Sequence, residues 1–164
     1  MARDKEKKLN SMRLLERHKI PYEVLEYEPV TRDAEEVAEL IGVPEFMVFK
    51  TLVVLSAVSN RPALVLIPSD KQLDLKRMAA AAGEKKMVMA THAEAEKLTG
   101  LKVGGISPLA LADKNWKVYL DRSASEIQHI VLSAGERGLQ LRVPVAALIS
   151  VLRAILVDVA IAKS

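Results

Sequence analysis

FKTLVVL, residues 49–55, decides the fold class and raises the first functional question. Phe49, Leu52, Val53, Val54 and Leu55 read as a strand buried on both faces. SNRP at 59–62 supplies turn residues, and ALVLIP at 63–68 is a second apolar strand, so the two predict a hairpin. Lys50 brings a charge into the front of this run. A lysine there either pairs with a carboxylate such as Glu28, snorkels to water, or lines a polar pocket. Periodicity alone leaves the three readings open.

Working upstream, TRDAEEVAELIG (31–42) predicts a helix with Val37, Leu40 and Ile41 inward and Gly42 as its stop. PYEVLEYEP (21–29) alternates between bracketing prolines, with Leu25 and Tyr27 on one face of a strand and Tyr22 and Val24 on the other. LNSMRLLERH (9–18) has helical spacing of Leu9, Met12 and Leu15. Downstream, DLKRMAAAAG (74–83) predicts a helix with Leu75, Met78, Ala79 and Ala82 on one side. KKMVMA (85–90) predicts a short strand. Thr91 followed by Glu94 is a capping-box pattern that opens a helix over THAEAEKLTG. KVYLD and HIVLSAG read as strands, and LQLRV (139–143) as a half-buried one. Pro144 suits the first turn of a last helix through Leu152, and the tail AILVDVAIAKS is ambiguous between helix and strand. Interleaved helices and strands, without repeat or linker, predict one α+β domain with a mixed sheet over 1–164, frayed at 1–8.

The 164 residues are 50% hydrophobic and only 4% aromatic, so the core is aliphatic. Net charge is +3, from 24 basic and 21 acidic residues, which permits a nucleic-acid partner without demanding one. The basic stretch 1–19 reads either as a solvated helix face or as a phosphate-contacting edge. With no cysteine, disulfides, thiolate metal sites and a cysteine nucleophile are excluded. The start MARDKEKKLN lacks a signal peptide's apolar region, and no run reaches the ~18 apolar residues of a membrane span, so a cytoplasmic protein is expected.

His18, His92 and His129 lack partners in metal-ligand spacing, and no nucleotide-binding glycine motif is present, so no metal and no cofactor are expected. GISPL around Ser107 lacks the second glycine of a nucleophile elbow. A Ser107–His129–Asp121 triad is allowed by spacing and favoured by nothing. Two features hold chemical promise. Lys50 is one. VGGISP (103–108) is the other, because adjacent glycines let backbone approach a ligand and offer bare N–H donors.

FKTLVV, QLDLKRMAAAAG, TGLKVGGISPL and SAGERGLQL, in that order, resemble the YbaK/ProX family of aminoacyl-tRNA editing deacylases, related to the editing domain of bacterial prolyl-tRNA synthetase. The likeness spans about residues 9–152 and is strongest to the YbaK branch, which clears cysteine from proline tRNA. It implies a strongly curved mixed sheet forming a partly open barrel flanked by helices. It implies tRNA as partner, with prolyl-tRNA synthetase as a candidate second one, and neither membrane nor DNA. By the same likeness Lys50 and Gly104 are the catalytic positions. Tyr27, Thr51, Gly105, Ile106, Ser107, Pro108 and Ser133 are the substrate-binding ones. The chain departs from the family pattern at Ala110, Ala134 and Gln140. The implied mechanism needs no base–nucleophile pair: the substrate's own thiol attacks the ester, while the protein positions it and stabilises the oxyanion. Alternatives are release of another small amino acid such as alanine, a non-catalytic aminoacyl-tRNA binding module, or an unrelated serine hydrolase using Ser107.

Overall fold

The computed structural model describes residues 8–30 and 33–163, so most of the segment expected to fray lies outside the described residues. Lys8, at its end, is paired to Glu16 at 2.6 Å. The chain runs α1 (Asn10–Arg17), β1 (Glu23–Glu26), α2 (Ala34–Ile41), β2 (Phe49–Ser56), β3 (Pro62–Pro68), β4 (Lys71–Leu73), α3 (Leu75–Ala82), β5 (Met87–Met89) and α4 (His92–Thr99). It continues with β6 (Val118–Asp121), β7 (His129–Ser133), β8 (Leu139–Pro144), α5 (Val145–Leu152), β9 (Ile155–Val157) and β10 (Ala160–Ala162), with short 3-10 turns between.

The hairpin forms as the apolar runs predict. β2 and β3 pair antiparallel from Phe49 opposite Pro68 to Leu55 opposite Pro62. They sit inside a five-stranded mixed sheet of order β5-β2-β3-β6-β9, in which β3, β6 and β9 are parallel. A three-stranded antiparallel sheet, β1-β8-β7, is joined to it by one parallel bridge between Val48 and Val131. β4 and β10 form a separate pair. The sheets stay open, in keeping with the α+β, partly open architecture expected.

Side chains of β2 alternate between two cores. Phe49, Val53 and Leu55 point into the main one, with Leu66, Leu120, Leu132 and Leu141. Val54 points into the second, with Ile67, Met78 and Val157. Burial on both faces is why this strand carries no apolar–polar alternation. Three expectations change. Leu40 is 50% exposed, and α2 instead buries Val37 and Ala38, because the helix meets its neighbours on a narrower stripe. β8 is not half-buried: Leu139, Gln140, Leu141 and Val143 are all buried, since Leu139, Leu141 and Val143 pack into the main core and Gln140 lies on the opposite face, against the cavity. The ambiguous tail resolves into β9 and β10, since β6 and β4 each offer it a free edge.

Helix ends follow local chemistry. The Asp33 and Asp74 side chains accept backbone N–H groups at the starts of α2 and α3. Thr91 and Glu94 form the complete capping box that starts α4. That box also ends β5: the chain turns into helix after Met89, and Ala90 N–H to Val53 O, at 3.0 Å, is the last contact it makes along β2. Beyond the bridge from Val48 to β7, residues 50–52 of β2 are therefore paired to β3 on one side and, among the described residues, to no strand on the other.

Candidate functional site

The unpaired edge of β2 opens onto a cavity of about 360 Å3. Residues 48–53 form one wall. Asp33, Ala34 and Val37 of α2, Met89 and Ala90, and His92 and Ala95 of α4 contribute, and Val103, Gly104 and Ile106 of the glycine loop close it with Ser133 and Gln140. By strand alternation, the Thr51 N–H and C=O point to this open edge, as Val53 O does, whereas those of Lys50 and Leu52 point to β3.

Lys50 is half-buried, and among the described residues it makes no hydrogen bond or ion pair. Burial holds its pKa below the usual lysine range, while Asp33 and Asp70 pull it partly back. The carboxylates near it are thus Asp33 and Asp70, not Glu28. Asp70 has one oxygen buried without a partner. Thr51 Oγ1 is likewise buried without a hydrogen-bond partner. An unsatisfied buried hydroxyl costs about 1–3 kcal/mol, which makes it a group held ready for a ligand or a water. Ser133 and Gln140 are cross-strand partners in the β7–β8 register and share a face. Both are buried, at 8% and 5% exposure. Ser133 Oγ accepts the Gly135 N–H at 3.2 Å.

Gly104 has φ +95°, a conformation open mainly to glycine. Gly105 is needed for a different reason: a Cβ there would lie 3.0 Å from Arg137 N and Glu136 C. The Gly105 N–H closes a turn onto Lys102 O at 2.8 Å, while among the described residues the Gly104 N–H donates to no protein group. Of the two amides the glycine pair offers, one remains available.

Five of the nine expected site residues, Lys50, Thr51, Gly104, Ile106 and Ser133, meet at this cavity. The other four lie elsewhere. Gly105 is buried behind the wall. Ser107 is fully buried, and its Oγ accepts Leu109 N–H at 3.2 Å, capping the next turn. Pro108 lines a second cavity of about 260 Å3 beside Trp116 and Arg153. Tyr27 runs beside the turn between β7 and β8, its N–H bonded to Gly138 O at 3.0 Å, and is not in the cavity wall. The conceivable triad is not assembled: both Asp121 oxygens are taken, one by Val159 and Ala160 N–H and the other by Ser123. No hydrogen bond joins Asp121, His129 and Ser107.

Asp33, His92 and Gln140 line the cavity without having been expected there, and Val103 does so as part of the glycine loop already singled out. Gln140 was legible in principle, as the residue an antiparallel register sets opposite Ser133. Asp33 and His92 carry no such signal, because an N-cap and the first residue of a helix read as a helix start whether or not a pocket lies beside them. No group of three or more metal-ligating side chains occurs among the described residues, and no described helix is long and apolar enough to cross a membrane.

Residues 28–151 match the family model described as an aminoacyl-tRNA editing domain. The EbsC protein of Enterococcus faecalis, named for a Cys-tRNA(Pro)/Cys-tRNA(Cys) deacylase, is 39% identical over 157 residues, 92% of each chain. A proline–tRNA ligase of Thermodesulfovibrio yellowstonii is 32% identical over 83 residues, 51% of this chain and 14% of the ligase. The crystal structure of a hypothetical protein superposes with a TM-score of 0.84 at 28% identity, covering 93% of this chain and 99% of the other.

Proposed function

This chain belongs to the aminoacyl-tRNA editing domain family, and on that premise we propose that it deacylates mischarged proline tRNA, with cysteine as the amino acid released. The observation that carries the reading is the joining of Lys50, Thr51 and the available Gly104 N–H around one cavity at an open strand edge. That set can hold a ribose or phosphate oxygen, an ester and a developing oxyanion. It contains no hydrogen-bonded base and nucleophile. His92 lines the cavity, yet no hydrogen bond ties it to Ser133 or Thr51.

In the mechanism we propose, the substrate supplies the nucleophile. The cysteine thiol attacks the ester carbonyl, a sulfur–carbon bond forms, and charge builds on the carbonyl oxygen. The Gly104 N–H stabilises that oxygen, and the Lys50 ammonium holds the terminal adenosine or the same oxygen. The carbon–oxygen bond to the ribose then breaks, the thiol proton passes to the ribose oxygen, and the amino acid leaves as a cyclic thioester. Lyase is therefore the stricter description of the step. Holding the thiol beside the ester is what the cavity contributes, since an intramolecular attack gains from orientation alone. Thr51, Ile106 and Ser133 shape the substrate pocket. Tyr27, Gly105, Ser107 and Pro108 support it from outside the wall. We take the whole chain to act as one editing domain, in the cytoplasm where tRNA is charged, with prolyl-tRNA synthetase as a second partner.

The test is single-turnover deacylation of proline tRNA carrying cysteine, alanine or proline, by the wild type and by Lys50→Ala. Rapid cysteine release, reduced at least ~100-fold in the variant, is expected for loss of one charged transition-state contact. Preferential alanine release would replace the thiol mechanism with water attack. Saturable binding of charged tRNA with no release of any amino acid would leave a binding module.

A further inference from the structure

Val103, which precedes the glycine pair, has both of its backbone groups held by side chains. Its N–H donates to Glu96 Oε2 of α4 at 2.8 Å. Its C=O accepts from Arg137 Nε, in the turn between β7 and β8, at 2.8 Å. Both bonds are charge-assisted and partly buried, and the second spans 34 positions of sequence. The two elements are also locked sterically, because the Arg137 and Glu136 backbone leaves no room for a Cβ at Gly105.

The Val103 carbonyl and the Gly104 N–H belong to one planar trans peptide and point in opposite directions. Fixing the oxygen toward Arg137 therefore fixes the hydrogen away from it. Arg137 does not line the cavity, whereas Val103 and Gly104 do. At φ +95° Gly104 carries no side chain to resist a flip of this plane, so the orientation must come from outside. The guanidinium on the oxygen also polarises this peptide, which strengthens the Gly104 N–H as a donor, while the Glu96 carboxylate holds the preceding peptide in place.

We infer that Arg137 and Glu96 are positioning residues: Arg137 aims and polarises the Gly104 amide toward the reacting carbonyl, and Glu96 anchors the peptide before it. Neither touches substrate; they act through the Val103–Gly104 peptide. The inference rests on reading the cavity as the deacylation site.

Two measurements on Arg137→Met, Arg137→Lys and Glu96→Gln test it. The first is single-turnover cysteine release at saturating protein, with the protein concentration for half-maximal rate. Arg137→Met should lower the maximal rate ~10- to 100-fold, less than or equal to the loss of an oxyanion donor itself. The half-saturating concentration should change less than ~3-fold, and Arg137→Lys should recover part of the rate. The second is the amide resonance of Gly104 in the free protein, which should move upfield and exchange faster in Arg137→Met, and less in Glu96→Gln. A raised half-saturating concentration with the maximal rate kept would make Arg137 a tRNA phosphate contact and overturn the inference. So would an unmoved Gly104 resonance in a folded variant. If Arg137→Met fails to fold, Arg137→Lys carries both readouts. Wild-type protein that leaves charged tRNA intact would instead overturn the proposed function, while the Gly104 resonance still decides whether Arg137 sets the peptide.

Discussion

The two ends of β2 treat a hydroxyl in opposite ways. Ser56, at the far end, is 2% exposed and fully partnered: its Oγ donates to Glu84 Oε1 at 2.5 Å and accepts Val58 and Ser59 N–H at 3.3 and 3.2 Å. Thr51, five residues earlier, has a buried hydroxyl with no partner and a backbone edge with no neighbouring strand. The difference comes from β5, which covers Val54–Ser56 and then stops because the Thr91 box starts a helix. One strand thus serves as core where it is flanked and as cavity wall where it is not. Polar satisfaction marks the boundary between those uses.

The sharpest way to break this comparison is to truncate one residue in each half. Leu55→Ala, in the flanked half, should lower stability by about 2–5 kcal/mol in chemical denaturation and leave turnover per folded molecule intact. Lys50→Met, in the open half, should leave stability unchanged or raised while turnover collapses. Equal destabilisation by both would mean that Lys50 is structural. Ser56→Ala comes next: it strands two backbone N–H groups and a carboxylate, and should cost about 1–2 kcal/mol in the same measurement. Thr51→Val should do the reverse. Removing an unsatisfied hydroxyl at nearly constant volume should raise stability by up to ~1 kcal/mol and slow deacylation. A Thr51→Val protein less stable than wild type would show that an ordered water satisfies the hydroxyl.

The smallest effects are those of pH. Burial favours neutral Lys50, so in the folded chain its proton is lost at lower pH than in the unfolded one. Between the two values the unfolded state binds more protons, and stability rises with pH through that window. Lys50→Met should flatten this rise in denaturation curves recorded at pH 8, 9 and 10. Deacylation should fall over the same window, because it needs the ammonium. Its rate per protein concentration, corrected for spontaneous ester loss, should decline below the ordinary lysine range.

Much of this was legible from residue order alone, and the limits are physical. The Phe49–Leu55 run announced a strand buried on both faces, and the turn residues 59–62 announced its hairpin partner. The Thr91 and Glu94 spacing announced a helix start, and Gly42 and Gly83 announced helix stops. Family motifs brought Lys50 and Gly104 forward together. These are local signals: side-chain period, cap chemistry and a glycine's access to positive φ act within a few residues.

What local signals could not decide is which edges stay unpaired. That β5 ends at Met89 and leaves residues 50–52 uncovered depends on where a helix start falls relative to a partner strand more than 30 positions earlier. Gln140 faces the cavity because of its register opposite Ser133, while Leu139, Leu141 and Val143 fill the main core from the strand's other face. The Arg137 contact to Val103 crosses 34 positions and follows from no spacing rule. By itself, then, the sequence determined most of the elements as far as Leu152, the hairpin, the family and the lysine. Only tertiary structure decided where the sheet is left open, which amide is left unbonded and which side chains hold it, because those depend on long-range packing that must exclude water from some polar groups and leave others waiting.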